Sequence, residues 1–186
     1  PKAVPRKRPT QARAGATVEA ILVAAQRTFR ERGFEKASVN GIAARAGVSV
    51  GSLYQYYPSK DALLAALAER HTDETLETLE QTLRAVWDEP LERAVRTIVV
   101  EMVEAHTDPL HRVLALGLDE LGAATAVQER IDRRAGEAVE RFLAHRSREI
   151  RPRALGLAAL LLVRSIDLLT HAAIERHPKA LENGGL

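Results

Sequence analysis

The chain has 186 residues, 46% of them apolar, and no cysteine, which allows a packed core and excludes a disulfide framework or a thiolate metal site. Formal net charge is +2, yet residues 1–60 hold 11 Lys and Arg against 3 Glu while residues 61–186 are net acidic. A basic head on an acidic body points to a polyanion-binding segment joined to a body that leaves the polyanion alone, the plainer alternative being a solubilising tail.

Ala, Leu, Glu and Arg dominate while β-branched and aromatic residues are sparse, which predicts an all-α fold. Residues 1–14 (PKAVPRKRPTQARA) read as a basic flexible arm. Its Arg6, Lys7, Arg8 and Arg13 suit either a minor-groove contact or a disordered basic tail. A helix is expected from about Thr17 to Arg32, with Val18, Ile21, Leu22, Ala25 and Phe29 at helical spacing and Gly33 as its stop. Two short helices follow, Val39–Ala46 capped by Ser38 and Val50–Tyr56 capped by Ser49, with Gly47 between them. Ser59 caps a long helix from Lys60 to about Val86. Further helices are expected at about 90–106, 109–121, 123–149 and 152–176, with Pro90, Pro109 and Pro152 at or near their first turns. Short breaks between them imply antiparallel neighbours.

The segment Ser38 to Lys60, SVNGIAARAGVSVGSLYQYYPSK, carries the most information. Ile42, Ala43, Ala46, Val48 and Leu53 form a small apolar knot, and Ala43 and Gly47 let two helix backbones approach. This is a helix-turn-helix, whose second helix is pressed outward. Val50, Gly51 and Ser52 are small enough for that helix to sit deep in a major groove, and Ser49 and Ser52 offer adaptable hydrogen bonds. All three tyrosines of the chain fall at 54, 56 and 57. Tyr57, four residues after Leu53, faces inward, which leaves Tyr54 and Tyr56 to present hydroxyls to a DNA backbone, with Lys60 adding charge.

Residues 15–62 resemble the DNA-binding domain of TetR-family regulators. The match runs through Phe29, Gly33-Phe34, Ile42-Ala43, Ala46-Gly47-Val48-Ser49 and Gly51-Ser52-Leu53-Tyr54-Gln55-Tyr56-Tyr57-Pro58-Ser59-Lys60. The resemblance implies phosphate contacts from Ser38, Tyr54, Tyr56 and Lys60, and base-edge contacts from Val50, Gly51 and Ser52. Gln55 belongs to the same motif, and Asn40 either touches a phosphate or is a solvated helix residue. Position 41, often acidic in the family, is Gly, and position 57, often Phe, is Tyr.

The expected organisation is therefore an arm (1–14), a three-helix DNA-binding domain (15–60, helix-turn-helix about 38–57) and an antiparallel helical effector-binding and dimerisation domain (61–186). In the body, Val95, Ile98, Met102 and His106 share one helical stripe, and Arg164, Asp167 and His171 another. With Trp87, the residues Ile98, Met102, His106, Arg164, Asp167 and His171 are candidates for an effector pocket. Each also fits an ordinary core position, and Arg164 and Asp167 are spaced to pair with each other. The six histidines do not read as a metal site: His106 and His111 are separated by Pro109, and no metal or catalytic motif is visible.

Residues 154–163 are apolar nearly all round, which implies cover from a twin subunit. The family usually has one further helix where this chain stops, so either the chain continues or the dimer uses the 123–149 and 152–176 helices alone. No signal-peptide pattern is visible at the N-terminus and the run 154–163 is short for a bilayer, so a soluble cytoplasmic protein is expected. The functional expectation is a homodimeric regulator, a repressor released from double-stranded operator DNA by a small, mostly apolar effector, without catalytic residues, cofactor or membrane. The alternatives are a helical enzyme acting on a small molecule and a non-specific nucleoid protein.

Overall fold

The computed structural model describes residues 7–151 and 153–176. Among them every regular element is a helix: α1 (Lys7–Lys36), α2 (Val39–Ala46), α3 (Val50–Tyr56), α4 (Lys60–Ala85), α5 (Leu91–Thr107), α6 (Pro109–Glu120), α7 (Ala124–His145) and α8 (Leu155–Arg176). They form two compact units, one from the residues up to Ala68 with Val113–Leu121, the other from Glu69–Arg112 with the residues from Gly122 on.

The first helix corrects the expected arm. It begins at Lys7, so only residues 1–6 of the predicted arm lie outside the described residues. Gln11, Ala12, Arg13 and Ala14 are strong helix formers, and Pro9 sits in the first turn, where its missing N–H is no loss. Gly33 (φ 74°, ψ 170°) interrupts the helical run where the sequence places the stop. The chain can turn there because glycine enters the left-handed region without a Cβ clash.

Three serine caps then set the helix-turn-helix. Ser38 Oγ accepts from the Gly41 N–H at 3.1 Å, Ser49 Oγ from Ser52 N–H at 3.0 Å and Ser59 Oγ from Ala62 N–H at 3.1 Å. Between α2 and α3, Gly47 takes φ 69° and the Val48 N–H reaches back to the Ala43 carbonyl at 3.1 Å, closing a Schellman turn. Leu53 is the one buried residue of α3. Its burial contributes about 1.5–3 kcal/mol, and a helix of seven residues has no stability of its own to replace it. Leu53 joins Ile21, Ala25, Phe29, Ile42, Ala43, Leu63 and Leu64 in the core of this unit. At Gly117 a Cβ would lie 2.6 Å from Leu64 Cδ1, so α6 and the start of α4 meet closely enough that a larger residue would have to move the Leu64 side chain.

The second unit centres on Leu76, Leu79, Leu83, Val86, Ala94, Met102, Ala135, Ala138 and Phe142. Ion pairs fasten its helices: Arg134 bonds Glu80 at 2.8 Å, between α7 and α4, and Arg164 bonds Asp132 at 2.7 Å, between α8 and α7. α7 stops at His145 rather than near 149, and α8 starts at Leu155 rather than 152. Arg146 stands at the early stop, where its buried guanidinium turns onto carbonyls just past the end of α4, Val86 at 3.0 Å and Trp87 at 2.7 Å. The sequence position of Pro152 lies outside the described residues.

Helix α8 presents an outward row of leucines, of which Leu157, Leu161, Leu168 and Leu169 are all more than half exposed. By length and composition its Leu155–Ala173 stretch suffices to cross a membrane, a longer apolar stretch than the run at 154–163 that the sequence singles out. Its charges have partners within the unit: Arg164 on Asp132, and Asp167 on His106 at 3.4 Å.

Candidate nucleic-acid interface and ligand cavity

The outward side of α3 is built as a shallow, adaptable surface. Gly51 and Ser49 are exposed, and Val50 and Ser52 half-buried. Ser49 Oγ and Ser52 Oγ lie 2.8 Å apart, so one hydroxyl donates to the other and a single hydroxyl hydrogen remains for an outside acceptor. Tyr54 and Tyr56 are 49% and 38% exposed, with their rings outside the core, and Gln55 stands between them in solvent. Tyr57 is half-buried, and burial, with the nearby Glu19 carboxylate, pushes its hydroxyl pKa up. Ser38 and Asn40 are exposed at the start of α2, on which Arg45 pairs with Glu31 of α1 at 2.7 Å.

Lys60 is placed differently from the free surface charge expected. Its Nζ donates to the Phe34 carbonyl at 2.9 Å and lies 4.1 Å from the centre of the Phe34 ring. It thus holds the turn that follows Gly33. A phosphate contact from this ammonium has to share it with that carbonyl.

In the second unit, α4, α5, α7 and α8, with His111 at the start of α6, surround a cavity of about 190 Å³. Leu76, Leu79, Ile98, Met102, Phe142 and Ile166 are among its apolar walls, while the imidazoles of His71, His106 and His111 and the Asp167 carboxylate gather among its polar lining. Of the sequence candidates, Ile98, Met102, His106 and Asp167 line this space. Trp87 does not; its ring stacks on His145 at 4.7 Å and meets Phe142 edge-on at 5.9 Å. Arg164 is drawn to Asp132 instead of Asp167, and His171 stands behind the lining, its Nε2 3.0 Å from that of His111.

The histidines are the main correction to the sequence reading. Four of the six converge: His71 Nε2 meets His111 Nδ1 at 3.0 Å, and the His106, His111 and His171 rings lie 4.5–5.1 Å apart. They come from α4, α5, α6 and α8, so no local spacing could reveal them. Pro109 opens α6 where a helix was expected, but it does not keep the two histidines apart, since His111 comes back against His106 at 4.5 Å. Burial, then the neighbouring imidazoles His106, His71 and His171, lower the His111 pKa to about 3. At Asp167 burial would raise the pKa, but hydrogen bonds from His106 and His171 outweigh it and hold the carboxyl well below the usual range.

Residues 21–67 match the family model described as bacterial regulatory proteins, tetR family, and residues 90–183 the model described as tetracyclin repressor-like, C-terminal domain. The chain belongs to the TetR family. The first match spans the whole helix-turn-helix, and the second runs through α5 to α8, where the sequence itself offered only helix number and length. Relatives include the HTH-type transcriptional activator FasR of Mycolicibacterium smegmatis, 41% identical over 68 residues, which are 37% of this chain and 31% of the relative. The transcriptional repressor BepR of Brucella suis is 32% identical over 107 residues, 58% of this chain and 51% of that protein. The chain thus spans about a third to a half of the length of these curated relatives. Among solved structures, a TetR-family regulator from Pectobacterium atrosepticum shares the fold with a TM-score of 0.76 at 23% identity, over 96% of this chain and 92% of that one. The SmeT–triclosan complex aligns with a TM-score of 0.58 at 26% identity, over 87% and 81%. TetR-family proteins are transcription regulators, and among the described residues this chain is all-helical with a helix-turn-helix in its first unit.

Proposed function

We propose that the chain is a homodimeric transcription regulator of the repressor type, which leaves double-stranded operator DNA when a small, mostly apolar effector fills the cavity of its second unit. The observation that carries this reading is α3: seven residues, one of them buried, the rest a small-residue surface flanked by exposed tyrosines. Such a helix repays its cost only if its outer side is used. Val50, Gly51 and Ser52 face base edges; Ser38, Tyr54, Tyr56 and Lys60 hold phosphates; Asn40, Ser49 and Gln55 border the contact. The working division is residues 15–60 for DNA and 61–186 for effector and twin subunit.

The cavity supports the effector half. It is walled by leucine, isoleucine, methionine and phenylalanine, with its imidazoles and one carboxylate to orient a ligand. Ile98, Met102, His106 and Asp167 would touch the effector, while Trp87, Arg164 and His171 would set the walls from behind. The triclosan bound by SmeT is a small compound held by a related fold. The outward leucines of α8 suit an isologous contact with a second copy. The protein would act in the cytoplasm, where its DNA is, and without catalysis. α4 contributes residues to both units, so an effector that prefers one position of its C-terminal half changes the spacing of two recognition helices.

The test is a titration of the DNA beside the chain's own gene against unrelated DNA of equal length. Specific binding about a thousandfold or more tighter is expected, and equal binding to both would overturn the reading. Compounds that raise the melting temperature should release the operator. Met102→Trp, which fills the cavity, should abolish that release and spare DNA affinity.

A further inference from the structure

We infer that His106, His111 and His171 form a binding site for a divalent first-row transition metal of the zinc class, within the second unit. Each of the three offers one ring nitrogen within 4.8 Å of those of the other two. Tetrahedral zinc with bonds of about 2.0–2.1 Å places its ligand nitrogens roughly 3.3–3.4 Å apart. His111 Nε2 and His171 Nε2 already stand 3.0 Å apart, and the remaining closure is within the reach of side-chain rotation.

The hydrogen bonds behind the rings carry the argument further. A histidine that ligates a metal through one nitrogen usually donates the other N–H to a carbonyl, carboxylate or similar partner, which fixes its tautomer and its orientation. His106 Nδ1 donates to the Met102 carbonyl at 2.6 Å, so its ligand atom is Nε2, which would exchange its contact with Asp167 Oδ1 at 3.4 Å for the metal. His171 Nδ1 donates to the Asp167 carbonyl at 2.9 Å, again leaving Nε2. His111 Nδ1 faces His71 Nε2 at 3.0 Å, so with the metal on Nε2 its N–H would be donated to His71. Two of the three rings thus already face each other through Nε2, the third offers a ring nitrogen within 4.8 Å, and each has a partner on its other nitrogen.

Charge agrees with this geometry. Two Nε2 atoms facing each other at 3.0 Å are joined either by one hydrogen, donated from one ring to the other, or by a shared cation. The cluster is half-buried to buried and beside apolar walls, where several imidazolium charges would repel. Asp167 Oδ1 lies 3.4 Å from His106 Nε2 and 3.4 Å from His171 Nδ1, close enough to offset a dication or to serve as a fourth ligand. The donor set is nitrogen and oxygen only, in a chain without cysteine, which suits Zn²⁺, Co²⁺ or Ni²⁺ rather than Cu⁺.

The inference does not depend on the regulator reading, and its test does not use DNA. Tag-free full-length protein, stripped with chelator, is titrated with Zn²⁺ in competition with a chromophoric chelator, and separately with Co²⁺ followed by visible absorption. One equivalent per chain is expected, with the intense ligand-field bands of tetrahedral Co²⁺. His171→Gln and His111→Gln should each weaken Zn²⁺ binding by about a hundredfold, His71→Gln by about tenfold through the lost support, and His145→Gln, outside the cluster, not at all. Circular dichroism of each variant separates a lost ligand from a lost fold. The wild-type Co²⁺ spectrum needs no variant: weak octahedral bands, or none, would overturn the site. So would zinc affinity that survives His171→Gln in a folded protein, or that falls equally with His145→Gln.

Discussion

Replacing Gly51 by alanine separates what α3 needs from what DNA needs. Gly51 is helical and is not among the glycines with positive φ, so the fold makes no conformational demand for glycine there. A Cβ built at this position meets only Ser49 Oγ, at 3.9 Å, which is ordinary contact. Within a helix alanine is favoured over glycine by about 0.5–1 kcal/mol. Gly51 is the second residue of a seven-residue helix, so the lower end applies. At roughly 2–4 °C per kcal/mol for a chain of this size, Gly51→Ala should raise the melting temperature by about 1–2 °C. On DNA the same methyl points from the outward side of α3. It should weaken operator binding by about tenfold or more, a loss of about 1.4 kcal/mol. Thermal denaturation by circular dichroism and anisotropy titration of labelled operator measure the two effects in one preparation. A lower melting temperature would refute the account of local packing, and unchanged operator affinity would remove Gly51 from the contact.

Lys60→Ala should lower both thermal stability and operator affinity, because the ammonium holds the Phe34 carbonyl as well as facing DNA; unchanged melting with a salt slope reduced by about one would show that it serves phosphate alone. Leu161→Glu places a charge on a leucine that is 58% exposed on α8, and sedimentation should find monomers or aggregates; a wild-type monomer at micromolar concentration would contradict the dimer. Acid should destabilise the second unit. His111 in the unfolded chain takes up a proton near its ordinary 6.5, whereas the folded site refuses it until about pH 3, so stability present at neutral pH drains away as pH falls through that window. Asp167, whose pKa is depressed by His106 and His171, adds to the loss at the acid end. Melting at about pH 7 and about pH 5 should differ in wild type and differ less in His111→Gln, and equal melting in wild type would refute the burial argument.

Local chemistry decided what could be read without coordinates. Ser38, Gly47, Ser49 and Ser59 act on their own neighbours, so the limits of α2 and α3 and the start of α4 follow from residues within four positions. Gly33 is of the same kind. The end of α7 was not legible, since Arg146, which stands there, bonds carbonyls some sixty residues away. The start of α1 is hidden for another reason: basic charge and three prolines mask the helix propensity of Gln11 to Ala14. In the cavity, Ile98, Met102 and His106 could be placed on one side of α5 by their spacing alone. The partners that give His106 its chemistry could not, since His71, His111 and His171 arrive from other helices.

The packing of Trp87 makes the second unit optically legible. It is the sole indole in the chain. Its ring lies 26° from the plane of His145 and edge-on to Phe142, whose side chain is also a wall of the cavity. One aromatic ring therefore stands between the chromophore and whatever fills that space. Intrinsic emission comes from a single site, with no second fluorophore of its kind to dilute a change in intensity or wavelength. Compounds that displace Phe142 should register directly in the emission of unlabelled protein, and those that bind on α3 should leave it untouched.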